Sequence, residues 1–349
     1  MLTLRWYRLE HDAGDFSEDA KALKFENLHP EMQPLLAAKA NVPKTLDPKV
    51  MRDGWNAYGD AQRQPYPAGM AVRDTIFRLA DHAQREIAVR IYRPADAEDF
   101  PAVVFYFHGG CFVKGSLESG DVIAAGVAEE TNCVVISVDY RLAPEHPFPA
   151  APEDCYSVVR HVAANARSLG VDGDRLAVWG DSAGGNLAAA VCLMARDRGG
   201  PAIAAQALNY PCLNDELTAE TYRLYADSPG LRTAYMDHCW GLYIADGRPT
   251  GHEYACPVKA KTLAGLPPAH IHIAEYDILA DDGRLYAERL RQAGGAVELA
   301  CANRMIHGFL RARRNGPDSA VEFSKPCNFL RRHLTKMSAS ERHKAGSAR

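Results

Sequence analysis

The apolar positions of this chain fall into short runs separated by longer stretches of helical periodicity. Ala102–Phe107 (AVVFYF), Cys133–Val138 (CVVISV), Leu176–Trp179, Ile203–Leu208 and His270–Ala274 are mostly apolar over four to six residues. Runs of that length suit strands inside a sheet covered on both faces. Upstream, Thr75–Leu79 and Glu86–Ile91 read as half-buried strands, and Val297–Cys301 reads as the last strand. Helical stretches at Asp121–Glu130, Glu153–Ala166, Ala183–Arg196 and Asp282–Gln292 lie between them. Strands that alternate with helices imply a mainly parallel sheet built from right-handed crossovers.

Two regions break the alternation. Residues 1–74 carry prolines at 30, 34, 43, 48, 65 and 67 and only short helical patches, at Asp19–Phe25 and Pro48–Tyr58. Residues 214–257 are aromatic-rich and helical in texture, with Tyr222, Tyr225, Tyr235, Trp240 and Tyr243. Both read as cap segments around a core divided into 75–213 and 258–335. Residues 336–349 are small and polar and read as a disordered tail.

The composition is that of a soluble globular protein, with 47% hydrophobic and 24% charged residues. A net charge of −4 gives no footprint for nucleic acid. No apolar stretch approaches the roughly 20 residues needed to span a bilayer. The opening stretch, MLTLRWYRLEHDAGD, lacks an apolar run with a cleavage site, so no secretory leader is expected. Nine cysteines, an odd number without any Cys-x-x-Cys pair, point to free thiols in the cytoplasm. Neither a nucleic-acid nor a membrane partner is expected, and a homodimer is compatible with the sequence.

Candidate chemistry enters at Gly180-Asp181-Ser182-Ala183-Gly184, a Gly-x-Ser-x-Gly pattern. The pattern is weak by itself, but here a buried strand precedes it and a strong helix follows. That context lifts a serine hydroxyl above the sheet, beside a helix N-terminus. The competing reading is an ordinary serine N-cap. His108-Gly109-Gly110-Cys111-Phe112 directly follows AVVFYF and offers backbone N–H groups for an oxyanion, with Ala183 as a further donor. His307 follows the last strand, where a base is expected in the order Ser…Asp…His. Asp277 ends the preceding strand; Asp281 and Asp282 read instead as the cap and first turn of the next helix. No HExxH spacing or Cys/His cluster calls for a metal, and no cofactor is expected.

With HGGCF (108–112), SVDYRLAPEHPFPAAPED (137–154), WGDSAGGNLA (179–188), LPPAHIHIAEYDILADDG (266–283) and IHGF (306–309), the chain closely resembles the hormone-sensitive-lipase-like family, the bacterial family IV esterases. The resemblance covers roughly residues 75–335. It implies an α/β-hydrolase fold: a central, mainly parallel eight-stranded sheet with helices on both faces and a helical cap. It also implies a triad of Ser182, Asp277 and His307, and an oxyanion hole from Gly109, Gly110 and Ala183. Tyr140–Glu145 resembles the loop that supports the oxyanion region. Cys111 departs from the family, which carries a third glycine there, and places a side chain near the acyl pocket. Phe112, Ile278 and Phe309 are further pocket candidates. The expected activity is hydrolysis of short- to medium-chain carboxylic esters of small molecules through an acyl-enzyme. Amide, lactone or carbamate cleavage on the same triad is the alternative. A binding protein that has lost its chemistry is a further one, disfavoured because His307 and Asp277 are both present.

Overall fold

The computed structural model describes Phe25, residues 27–79 and residues 85–335. The rest of the patch expected at 19–25 and the tail from Lys336 lie outside the described residues. The elements are α1 (Gln33–Lys39), α2 (Pro48–Asp60), β1 (Ala71–Arg78), β2 (Glu86–Arg93), β3 (Val103–Phe107), α3 (Leu117–Thr131) and β4 (Val134–Val138). They continue with α4 (Ala150–Leu169), β5 (Leu176–Asp181), α5 (Ala183–Asp197), β6 (Ala205–Asn209), α6 (Glu220–Leu224) and α7 (Thr233–Tyr243). The chain ends through β7 (Ala269–Tyr276), α8 (Ala280–Gln292), β8 (Val297–Ile306) and α9 (Pro317–Leu334).

One eight-stranded sheet runs in the order β1-β2-β4-β3-β5-β6-β7-β8. β1 pairs with β2 and β2 with β4 antiparallel; from β4 to β8 every pairing is parallel. The period of two along each strand divides the core between the two faces. Val103, Phe105 and Phe107 of β3, with Leu176 and Val178 of β5, enter the cluster that holds α4, α5 and α8. Val104, Tyr106, Ala177 and Trp179 enter the cluster on the other face, with α3 and α9. β1 is mostly exposed, and its Arg73, Asp74 and Arg78 keep that edge charged, which discourages pairing with another chain.

Local signals fix several element ends. Ser116 and Ser119 form a capping box at α3, and Asn132 ends that helix in the left-handed region at φ 55°. The pattern of residues 302–335 gave no expectation of α9, an 18-residue helix that continues through Pro326. Its buried stripe of Phe323, Cys327, Phe329, Leu330 and Leu334 supplies the packing that outweighs an interior proline.

Parallel strands place their carboxyl ends on one edge. His108 follows β3, Ser182 follows β5, Asp277 follows β7 and His307 follows β8. Four residues far apart in the chain are thereby delivered to the edge where open α/β sheets bind ligands. The N-terminal and inserted segments meet over this edge: the Tyr235 hydroxyl of α7 lies 3.2 Å from the Met51 sulfur of α2.

Candidate active site

Ser182 sits at φ 59° and ψ −118°, a strained conformation for a residue with a side chain. The strain persists because the flanking glycines let β5 and α5 pack without room for a Cβ. A Cβ at Gly180 would lie 1.9 Å from the Gly184 carbonyl oxygen, and one at Gly184 would lie 1.8 Å from that of Phe107. Ser182 occupies the N-cap position of α5 yet makes no side-chain capping bond. Its Oγ lies 2.9 Å from His307 Nε2, which removes the simple N-cap reading.

His307 Nδ1 lies 2.8 Å from Asp277 Oδ2. Asp277 is fully buried, and its other oxygen accepts the Leu279 backbone N–H at 3.1 Å. The carboxylate is therefore held from two sides and aims one oxygen at the imidazole. The Tyr210 ring meets the imidazole edge-on, with centroids 4.8 Å apart. Gly230 packs against the backbone of His307, where a Cβ would lie 2.7 Å from the His307 nitrogen. Gly230 and Tyr210 carry no motif, so sequence reasoning had no means of finding them.

Asp281 and Asp282 stay out of this chain of contacts. Asp281 accepts the Thr221 N–H at 3.1 Å and pairs with Arg284. Asp281 was expected as the N-cap of α8, but Leu279 holds that position and both Asp281 and Asp282 lie in the first turn, as expected for Asp282 alone. Asp282 is buried and accepts the N–H groups of Leu213 and Asn214 and the Tyr222 hydroxyl, which pins the loop after β6. Burial pushes its carboxyl up to about 7.

The oxyanion region needs one correction. Gly109 was expected to donate to the oxyanion, but its N–H donates to Asp181 Oδ1 at 3.2 Å. That carboxylate is buried under the loop, accepts the Tyr106 hydroxyl at 2.7 Å, and is raised in pKa by burial. The N–H groups of Gly110 and Ala183 have no acceptor among the described residues. Two donors, one from the loop after β3 and one following the serine, are what such a hole requires.

The Tyr140–Glu145 loop supports these donors. The Tyr140 hydroxyl donates to the His108 carbonyl at 2.6 Å and its ring stacks on the imidazole. Burial pulls His108 down to about 4, so it stays neutral. Arg52 of α2, which sequence reasoning missed, donates to the carbonyls of Val113 and Ala143 at 2.9 Å each and to both oxygens of Glu145. It ties α2 to the oxyanion loop and to its support.

The pocket candidates divide. Cys111 is buried at φ 56°, and its thiol is pulled down to about 6, first by a hydrogen bond with Cys239 and then against burial by Lys114. Phe112 is spent on packing, stacked 3.8 Å from Tyr243 of α7. Ile278 is buried in the core beside α8. Phe309 does not line the pocket. Its ring is buried against Tyr210 and His272, in the opposite core with Trp179 and Phe323, because the short 3-10 helix Phe309–Ala312 is itself buried in that core.

Among the described residues, His29, Glu31 and Asp318 are the only group close enough to share a cation. Glu31 already accepts the Ser319 N–H at the start of α9, and none of the three belongs to the site. No helix among the described residues is long and apolar enough to cross a membrane. All nine cysteines are free, and only Cys301 is not buried.

A family described as having the alpha/beta hydrolase fold matches residues 104–311. The chain belongs to the hormone-sensitive-lipase-like family of α/β hydrolases. It is similar to carboxylesterase NlhH of Mycobacterium tuberculosis, 40% identical over 252 residues, covering 71% of this chain and 79% of that one. An arylesterase of Saccharolobus solfataricus is 37% identical over 250 residues, covering 71% of this chain and 80% of the other. Among solved structures, a thermostable esterase from Pseudomonas putida superimposes with a TM-score of 0.82 at 30% identity, covering 89% of this chain and 98% of that one.

Proposed function

We propose that the chain is a serine carboxylesterase in which Ser182 is the nucleophile, His307 the general base and Asp277 the residue that orients the base. The observation that carries this reading is the unbroken line of contacts from Ser182 Oγ to His307 Nε2 and from His307 Nδ1 to Asp277. A serine hydroxyl becomes an effective nucleophile when a neutral imidazole takes its proton. Attack on the ester carbonyl builds an oxyanion within reach of the Gly110 and Ala183 N–H groups, backed by the N-terminus of α5. His307 returns the proton to the leaving alkoxide, and water repeats the sequence to free the acyl group.

Residues 27–70 and 214–257 act as the cap in this reading; residues 71–74, expected in it, belong to β1. The cap sets substrate size, and soluble small-molecule esters of short to medium acyl length are the proposed substrates. Nine cysteines without a disulfide favour a reducing, cytoplasmic setting.

The test is a hydrolysis screen over acyl esters of graded length, with matched amides, for the wild type and Ser182→Ala. Removing the nucleophile should cost several orders of magnitude in turnover and leave the fold intact. Near-wild-type esterase turnover in Ser182→Ala would sink the assignment. An optimum on emulsified long-chain triglyceride would sink the reading of the cap.

A further inference from the structure

Two lysines near the triad have no carboxylate partner among the described residues. Lys39, the last residue of α1, is half-buried and donates its ammonium to the Gly230 carbonyl, on the glycine packed against His307. Lys114, in the oxyanion loop, is 8% exposed. Its Nζ donates to the Tyr235 hydroxyl at 2.7 Å and lies 4.3 Å from the Trp55 ring centroid and 4.6 Å from that of Tyr235. Neither ammonium pairs with a carboxylate among the described residues.

Elsewhere the chain pairs its buried cations. Arg90 meets Asp74, Glu118 and Asp121, and Lys259 meets Asp215 and Glu216. Arg311 stacks on the same Trp55 ring, its Nη atoms make no hydrogen bond among the described residues, and its charged neighbour is the buried Asp181. Two ammoniums without a carboxylate partner among the described residues are thus held near the triad.

Holding such charges out of water is costly unless an anion compensates them. The described groups of negative character facing Lys39 are Asp277, committed to His307, and the Cys111 thiol. Burial first, and then the Lys114 charge, pull the Lys39 ammonium down to about 8. The Cys111 thiol, drawn down by Lys114 and Lys39, is a single buried counter-charge for two ammoniums; an entering carboxylate would supply a second.

We propose that Lys39 and Lys114 form an anion-recognition site beside Ser182, and that the preferred substrate is an ester bearing a carboxylate a few bonds from the scissile carbonyl. The proposal rests on the esterase reading and names its substrate class. The carboxylate can sit on the acyl side, as in a half-ester of a dicarboxylic acid, or on the alcohol side, as in an O-acylated hydroxy acid.

The experiment compares kcat/KM, by proton release, for matched pairs. Monoethyl succinate and monoethyl glutarate are set against ethyl butanoate and ethyl pentanoate; 4-acetoxybutanoate is set against pentyl acetate. The wild type should favour the carboxylated member of one pair set on the order of 10- to 100-fold, the range of a charge-assisted hydrogen bond. Whichever set shows the preference identifies the side. Lys114→Met and Lys39→Met should each lower that ratio toward one, and the arginine variants should retain part of it. Neutral esters hydrolysed as well as their carboxylated partners in both sets would overturn the proposal, and this comparison needs no folded variant. A preference that survives both methionine variants would overturn the role of the lysines. Absence of hydrolysis for neutral and charged esters alike would instead bring down the esterase reading, and the proposal with it.

Discussion

Cys111 and Phe112 lie consecutively in the left-handed region, at φ 56° and 65°, where a side chain costs about 1 kcal/mol or more per residue. A glycine at 111, as in the family this chain resembles, would adopt this conformation freely; Cys111 holds it under strain. Cys111→Gly should therefore fold, with the relieved strain set against the lost burial of the thiol. Bulky thiol reagents should slow hydrolysis of large acyl groups by the wild type and spare Cys111→Gly; equal inhibition of both would show the thiol to be irrelevant. The carboxylates separate in the same way. Asp277→Asn should cut turnover severely, because an amide cannot hold the imidazole in its working tautomer. Asp281→Asn, at a partly exposed pair that also accepts the Thr221 N–H, should cost only about 1 kcal/mol of stability and little turnover. A larger loss of turnover in Asp281→Asn than in Asp277→Asn would refute the assignment.

Among the elements, α1 and α2 do more than roof the site. Leu28, Met32 and Leu35 are buried in the core cluster shared with α3 and α9. Burying each such side chain stabilises the fold by about 1.5–3 kcal/mol, so the segment is part of the core and not an added lid. Deleting residues 1–40 should lower the melting temperature as well as change the acyl-length profile. An unchanged melting temperature and profile would contradict this. Arg52 links the same segment to the oxyanion loop through one bidentate pair and two carbonyls. Arg52→Ala should lose about 2 kcal/mol in urea unfolding and reduce kcat/KM; Arg52→Lys should restore little, since an ammonium lacks the planar fork.

At the scale of the whole molecule, buried neutral groups shape the response to acid. Burial holds His270 at about 3, well below its ordinary value. A histidine depressed in the folded state contributes stability that is complete above about pH 6.5 and is lost as pH falls toward the folded value. The wild type should lose up to about 3 kcal/mol relative to His270→Gln between pH 6.5 and 4, read from urea midpoints at each pH. A constant difference across that window would show that His270 is not buried neutral. The sequence by itself determined the sheet, because apolar runs of four to six residues separated by helical stretches have few other ways to bury both faces. It also determined which residues would stand at the carboxyl edge, since Ser182, Asp277 and His307 each directly follow a strand. Only the tertiary structure decided what those residues meet. Asp281 and Asp282 differ from Asp277 by a few positions in sequence, and their two carboxylates are directed by α6 and the loop after β6, 60 or more residues away. The commitment of Gly109 to Asp181, the turn of Phe309 into the opposite core, and the gathering of Lys39 and Lys114 all depend on contacts between distant segments. Local pattern records which face a residue occupies; the partner waiting on that face is fixed only when the chain has folded.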